Sequence, residues 1–280
     1  MRGDLSISRV CALLGVPRSS FYTRRCGPPA RPVEPTLEAA ARRLFAESRQ
    51  SMGSRRLSAG LRLVGHDVGR YRARRLAEKL CLVRRRRPHA HYKRYTKPEA
   101  AALNVLDRKF NPERPNTRWA SDITQLFVDG RWLYMAVVME LFSRRIIGWA
   151  YSHIADTQLA EDALAMAIAA RRPPPGLLFH SDQGCQYSSH RFVAFLRHHQ
   201  IDQSMSRRGN CWDNAAMERF FHTTKHEWVP IEGYHCPQHA RRDLTAFLNY
   251  YNHKRPHSSR KNIPPALLEH LAATNSYVGV

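Results

Sequence analysis

Three carboxylates stand where this chain would do its chemistry. Asp122 lies inside the apolar run Trp119-Ala120-Ser121-Asp122-Ile123-Thr124. A charge there works against both strand formation and burial. Asp182 follows Phe179-His180-Ser181 at the C-terminal end of a short buried strand, a position that sites in α/β sheets favour. Glu218 falls on a helix expected from Asp213 or Asn214 to about Trp228, on the face that also carries Phe221 and Lys225. Singly, each has a plain reading: a buried acid paired with an arginine, a turn or cap residue, a helix-surface glutamate.

Gathered at the centre of one sheet, the three would repel. Two carboxylates about 4 Å apart repel by about 4 kcal/mol at an effective dielectric of 20. Protons or a multivalent cation must then be present. All-oxygen ligands select hard ions, Mg²⁺ or Mn²⁺, rather than zinc. Two such ions about 3.5–4 Å apart serve in-line phosphoryl transfer, with a water or a 3′-hydroxyl as nucleophile. That chemistry needs no protein nucleophile, and no convincing Ser-His or Cys-His arrangement is present.

Positioning these acids needs a sheet and a packed helix, and the back of the chain reads that way. Trp119 to Val128 and Trp132 to Met139 are apolar runs joined by Asp129-Gly130, a hairpin signal. Arg145 to Tyr151 makes a third strand. Thr157 to Ala170 is a helix capped by Thr157 or Asp156, and Leu177 to His180 a buried strand. Ser188 to His199 is a helix, Asp202 to Ser206 a short strand, and Pro237 to Tyr251 a last helix. The order β-β-β-α-β-α-β-α-α is that of a ribonuclease-H-like α/β fold with a mixed five-stranded sheet.

The front is all-α. Ser6 to Leu14, the Gly15-Val16-Pro17 turn and Arg18 to Arg25 outline a helix-turn-helix. Four prolines between Cys26 and Pro35 mark a linker. Helices are expected over Thr36 to Ser48, Ser54 to Leu63 (Ser54 as cap) and Val68 to Leu80. In the last, Tyr71, Leu76 and Leu80 should face inward and Arg70, Arg72, Arg74 and Arg75 outward. The expected domains are 1–82, a helix-turn-helix-like DNA-binding region; 83–117, a basic linker; 118–270, the catalytic core; and 271–280, a tail.

Charge separates the two halves. Of 280 residues with formal net charge +22, residues 1–117 hold 27 Lys+Arg against 9 Asp+Glu. They include Arg84, Arg85, Arg86 and Arg87. A bias this long points to a polyanion, and nucleic acid is the commonest. Arg72, Arg74, Arg75 and the Arg84–Arg87 run are the candidate phosphate contacts. A membrane surface would want an amphipathic helix with an aromatic or Leu face, and the arginine run leads instead into Pro88 and polar sequence. No apolar stretch of about 18 residues and no signal peptide is seen, so a cytoplasmic, nucleoid-associated protein is expected. Six scattered cysteines form no C-x-x-C pair and read as free thiols.

Asp182 and Glu218 are separated by 35 residues, a D-35-E spacing. His180-Ser181-Asp182-Gln183-Gly184-Cys185-Gln186-Tyr187, Gly209 to Phe221, and Tyr251-Asn252 with Arg255-Pro256-His257 resemble bacterial insertion-sequence transposases of the retroviral-integrase type. More narrowly, the chain looks like the second-reading-frame product of the two-frame, frameshifting elements. Asp122-Ile123-Thr124, Leu133-Tyr134 and Phe142-Ser143-Arg144 fit the same family. The resemblance covers nearly the whole chain. It implies a DDE triad at Asp122, Asp182 and Glu218 holding two Mg²⁺ or Mn²⁺ ions, and a phosphate-contacting Lys225. It also implies terminal inverted repeats and target DNA as substrates, a first-frame product or frameshift fusion as partner, and a homo-oligomer on DNA. Two positions depart from the family pattern: Met52-Gly53 replaces the usual Tyr-Gly, and Glu140 the usual Asp. The competing functions are a ribonuclease-H-like nuclease that hydrolyses without joining, and a non-catalytic DNA-binding regulator of the full transposase.

Overall fold

The computed structural model describes residues 6–26, 35–85, 102–207 and 211–274. The chain forms two compact units, 1–39 and 40–280. In the first, α1 (Ile7–Leu13) and α2 (Arg18–Cys26) follow each other, with Ser6 capping α1. The helix α3 (Pro35–Glu47) crosses the boundary between the units. The helices α4 (Ser54–Leu63) and α5 (Arg70–Lys79) complete the arginine-rich region. Ser54 is the first helical residue of α4, not its cap; Gly53 occupies the cap position without a side-chain bond. On α5, Leu76 and Leu80 are buried, and Arg70, Arg72, Arg74 and Arg75 are exposed. Tyr71 is 77% exposed rather than inward. It is the second residue of the helix, and the buried stripe is carried by Ala73 and Leu76 instead.

The larger unit is built on β1 (Arg118–Val128), β2 (Arg131–Glu140), β3 (Ile146–Ser152), β4 (Leu177–Ser181) and β5 (Ile201–Met205). They form one mixed sheet in the order β3-β2-β1-β4-β5. The first three strands meander antiparallel, and β4 and β5 join parallel. The β1–β2 turn is the expected one: Asp129 and Gly130 both have positive φ, 48° and 73°. A two-residue hairpin turn of this hand matches strand twist.

Strand parity sorts the side chains into two cores. On one face Ala120, Leu126, Leu133, Met135 and Val137 meet Phe220 and Phe221 of α9 (Ala215–Thr223) and Phe247 of α10 (Pro237–His253). On the other, Trp119, Ala136 and Val138 meet α6 (Thr157–Arg171) and α8 (His190–His198). At Gly148 of β3, an added Cβ would lie 2.1 Å from the Ala163 carbonyl oxygen, so α6 sits directly on the strand backbone. Asp156 caps α6.

Three elements differ from the sequence reading. The helix expected over Ser188 to His199 is two, α7 (Cys185–Ser188) and α8, because Ser189 leaves helical geometry to cap α8. A further helix, α11 (Pro265–Ala273), extends into the expected tail and carries buried Leu268. Residues 102–117 contain no helix or strand, yet Leu106 enters the core between α9 and the sheet.

Candidate active site

Parity places Asp122 on the same face of β1 as Ala120 and Leu126, the face that α9 covers. It is half-buried, and its Oδ1 accepts from the Ile123 N–H at 2.8 Å. Asp182 follows the last residue of β4, which is parallel to β1, so both acids lie along adjacent strands. Its Oδ1 accepts from the Gly184 N–H at 3.0 Å. A Cβ at 184 would stand 2.8 Å from Gln186 Oε1 and 3.0 Å from that oxygen, so a larger residue there would have to displace one of these side chains. Glu218, exposed in the first turn of α9, approaches from the covering helix.

The charges of Asp182 and Glu218 both act on Asp122. Burial raises the Asp122 carboxyl well above its ordinary range. Asp182 adds to the rise, Glu218 adds again, and Lys225 opposes it. Asp182 and Glu218 are both raised too, mainly by desolvation. Among the described residues, no group of three His, Cys, Asp or Glu side chains is drawn together tightly enough to be a ready-made metal cage.

Lys225 faces the acids from beyond α9. The helix expected to run to Trp228 changes character at Thr224: α9 ends at Thr223, and Thr224–Trp228 is a π-helical turn. Its signature is the Val229 N–H bonded to the Thr224 carbonyl, five residues back, at 3.1 Å. Such turns concentrate at functional sites. Half-buried Lys225 is its second residue. Burial lowers the ammonium's pKa, and Asp122 offsets part of that.

The entry to α9 also departs from expectation. Asn214 holds the cap position without a side-chain cap bond, and its Nδ2 instead reaches the Ser121 carbonyl at 3.4 Å. Asp213 is fully buried and caps nothing. Its carboxylate accepts from Arg207 Nε and Nη2, Arg108 Nε and Asn104 Nδ2 at 2.9–3.0 Å. The Arg207 and Arg108 bonds hold its pKa well below the usual carboxylate range. These ties fix Asp213 just ahead of α9. Sequence reasoning offered Asp213 or Asn214 as the cap, and Asn214 takes that position; Arg207 and Arg108 lie too far away in sequence, or in too basic a context, to announce themselves as partners of Asp213.

Other motif residues serve as scaffold. His180 is buried between Ser204 and Ser206, with its pKa pushed down to about 4 by desolvation. Tyr187 meets the Ser121 hydroxyl at 2.8 Å. Asn252 bonds both the N–H and the carbonyl of Ile146 at 2.9 Å, tying α10 to β3. Glu140 accepts the N–H groups of Phe142 and Ser143 and organises the β2–β3 turn.

The proposed phosphate contacts fall into two groups. Arg72, Arg74, Arg75 and Arg84 are exposed, with Arg74 bonded to Glu78 at 2.9 Å. Arg85 turns inward and donates to the Val229 carbonyl at 2.6 Å. Arg86 and Arg87 lie outside the described residues. No helix among the described residues is long and apolar enough to cross a membrane.

A mixed sheet in this order, with acids on its two central strands and a third on the covering helix, defines a ribonuclease-H-like integrase core. Family comparison agrees. Models described as integrase core domain match residues 112–211 and 199–265, and one described as HTH-like domain matches 33–90. The transposase InsF of insertion sequence IS3A from Escherichia coli K12 is 35% identical, covering 96% of this chain and 95% of its own. The putative transposase InsK of IS150 from the same organism is 32% identical, covering 89% and 88%. Among solved structures, the catalytic core of HTLV-2 integrase in complex with magnesium is 16% identical, covering 56% of this chain and 97% of its own, with a TM-score of 0.41. The chain belongs to the insertion-sequence transposases of the IS3 kind, DNA transposases with an integrase core and a helix-turn-helix-like DNA-binding region.

Proposed function

We propose that this transposase cuts the ends of its element and joins the freed 3′-hydroxyl strand to target DNA, with Asp122, Asp182 and Glu218 as the catalytic carboxylates. The observation that carries this is that Asp182, at the end of β4, and Glu218, on α9, both raise the pKa of Asp122 on β1. Carboxylates whose charged forms are penalised in this way suit divalent Mg²⁺ or Mn²⁺, which relieves the repulsion. Two bound ions would activate the attacking oxygen and offset charge on the leaving one. Asp122 and Asp182 supply fixed ligands on rigid strands. Glu218 supplies an adjustable one from an exposed helix face. Lys225 holds a DNA phosphate beside them, as a compact charge on a flexible stem.

The element's terminal inverted repeats and target DNA are the substrates. The first-reading-frame product, or a frameshift fusion with it, is the partner, and the working form is an oligomer on DNA. The test is a cleavage and joining assay on labelled terminal DNA, with and without Mg²⁺, beside a gel-shift at matched salt. Wild type should cut and join only with the ion. Cleavage with no joined product would indicate a nuclease, and binding with neither would indicate a regulator. Near-normal cleavage by Glu218→Gln would remove Glu218 from the site.

A further inference from the structure

The π turn that carries Lys225 ends against three arginines of the helical region. Glu227, its fourth residue, is held from two sides. Arg56 of α4 donates Nη1 to Oε2 at 2.6 Å, and Arg255, just past α10, reaches both carboxylate oxygens at 3.1–3.3 Å. All three side chains are only 12–17% exposed. Arg49 donates to the Trp228 carbonyl at 3.1 Å, lies 4.1 Å over the Trp228 ring, and pairs with Asp243. Arg85 donates to the Val229 carbonyl.

These bonds answer a physical need. A helix end leaves carbonyls without intrahelical partners and carries partial negative charge. Here guanidinium groups of Arg49 and Arg85 meet the carbonyls at the end of the turn. The π turn also spaces its bonds five residues apart, a poorer geometry that persists only where surroundings hold it. Glu227 and Lys225 are two residues apart on it, so the grip on one sets the place of the other.

We propose that Glu227 is a positioning residue, clamped by Arg56 and Arg255, that holds the π turn so that Lys225 stays against Asp122. The helical region thus has a second task besides meeting DNA: it sets the catalytic end of α9. The inference rests on the role given to Lys225 above.

The experiment is a double-mutant cycle in the full chain, reading kcat and KM for cleavage of terminal DNA with Mg²⁺, with thermal midpoint and DNA binding as parallel measurements. Glu227→Gln keeps shape and loses the charge; kcat should fall about tenfold or more, in the range typical of groups that orient ligands, with KM changed less than about threefold. In a Lys225→Met background the same change should cost less than about twofold, because the two act through one group. Arg56→Lys, which keeps charge but loses the fork, should give a smaller loss in kcat in a folded protein and serves if Glu227→Gln unfolds. A full tenfold loss from Glu227→Gln in the Lys225→Met background would overturn the clamp. So would normal kcat in Glu227→Gln. Wild-type cleavage by Lys225→Met would instead refute the role of Lys225, whatever Glu227→Gln does.

Discussion

Each proposed catalytic acid is unremarkable by residue type, and its surroundings set it apart. Asp122 is raised by burial first and by Asp182 and Glu218 next. The spacing of 35 residues and the apolar strand around Asp122 are what single the three acids out in the sequence. Asp122→Asn, Asp182→Asn and Glu218→Gln keep size and remove charge. Loss of a partner that merely orients a ligand costs about 10–100-fold, so each of these should lose more than about 100-fold in cleavage. Double variants should lose little beyond that, since the residues act as a unit; multiplied losses in the doubles would mean separate roles. His257 carries a different residue-scale prediction. Its ring is buried edge-on to Tyr251, with Arg255, Arg144 and Arg56 nearby and Nε2 3.3 Å from the Tyr251 carbonyl. Burial and then Arg255 push its pKa from 6.5 down to about 3. A depressed histidine pKa means the unfolded chain takes the proton first. Its stabilising contribution is therefore complete above about pH 6.5 and is lost as pH falls toward 3. By pH 5 the loss from this one group is about 2 kcal/mol. Denaturant titrations at pH 7 and 5 should show that drop shrink by about this amount in His257→Gln; an equal drop would assign the acid sensitivity elsewhere.

At the scale of elements, the strands and most helices followed from periodicity and turn chemistry, because a half-buried strand or helix writes its inward face into the sequence. What was missed has a common physical cause. The π turn at Thr224–Trp228 has no local signature; it is held by Arg49, Arg56 and Arg85, which lie more than a hundred residues away. Asp213 looked like a cap because Asp before a helix normally is one; Arg207, Arg108 and Asn104 took the carboxylate instead. Asn252 sits on α10, where its polarity is explained by the buried backbone N–H and carbonyl of Ile146 at the start of β3. Asn252→Ala would leave that buried N–H and carbonyl unsatisfied. At about 1–3 kcal/mol per orphaned group, the total for the two should be about 2–6 kcal/mol in equilibrium unfolding. A cost under about 1 kcal/mol would show that water reaches β3 and replaces the amide.

Across the whole molecule, the uneven charge announced a polyanion partner but not which arginines would meet it. Arg49, Arg56 and Arg85 read the same as Arg72, Arg74 and Arg75 in a basic run, yet the first three turn onto the catalytic core and the last three face outward. The two sets should therefore separate by experiment. Each phosphate neutralised contributes about 0.9 to the slope of log binding constant against log salt. Replacing Arg72, Arg74 and Arg75 together by Gln should make that slope shallower by about 2–3. Cleavage at saturating DNA should change little, because none of the three touches the acids. Arg56→Gln should do the reverse: an unchanged slope, since its guanidinium is already occupied by Glu227, and a clear loss of cleavage at saturating DNA. Binding measured from 50 to 200 mM salt on both variants decides between these outcomes. A slope that stays put in the triple variant would move the DNA surface off α5, and a slope that falls in Arg56→Gln would mean that DNA draws this arginine away from the core.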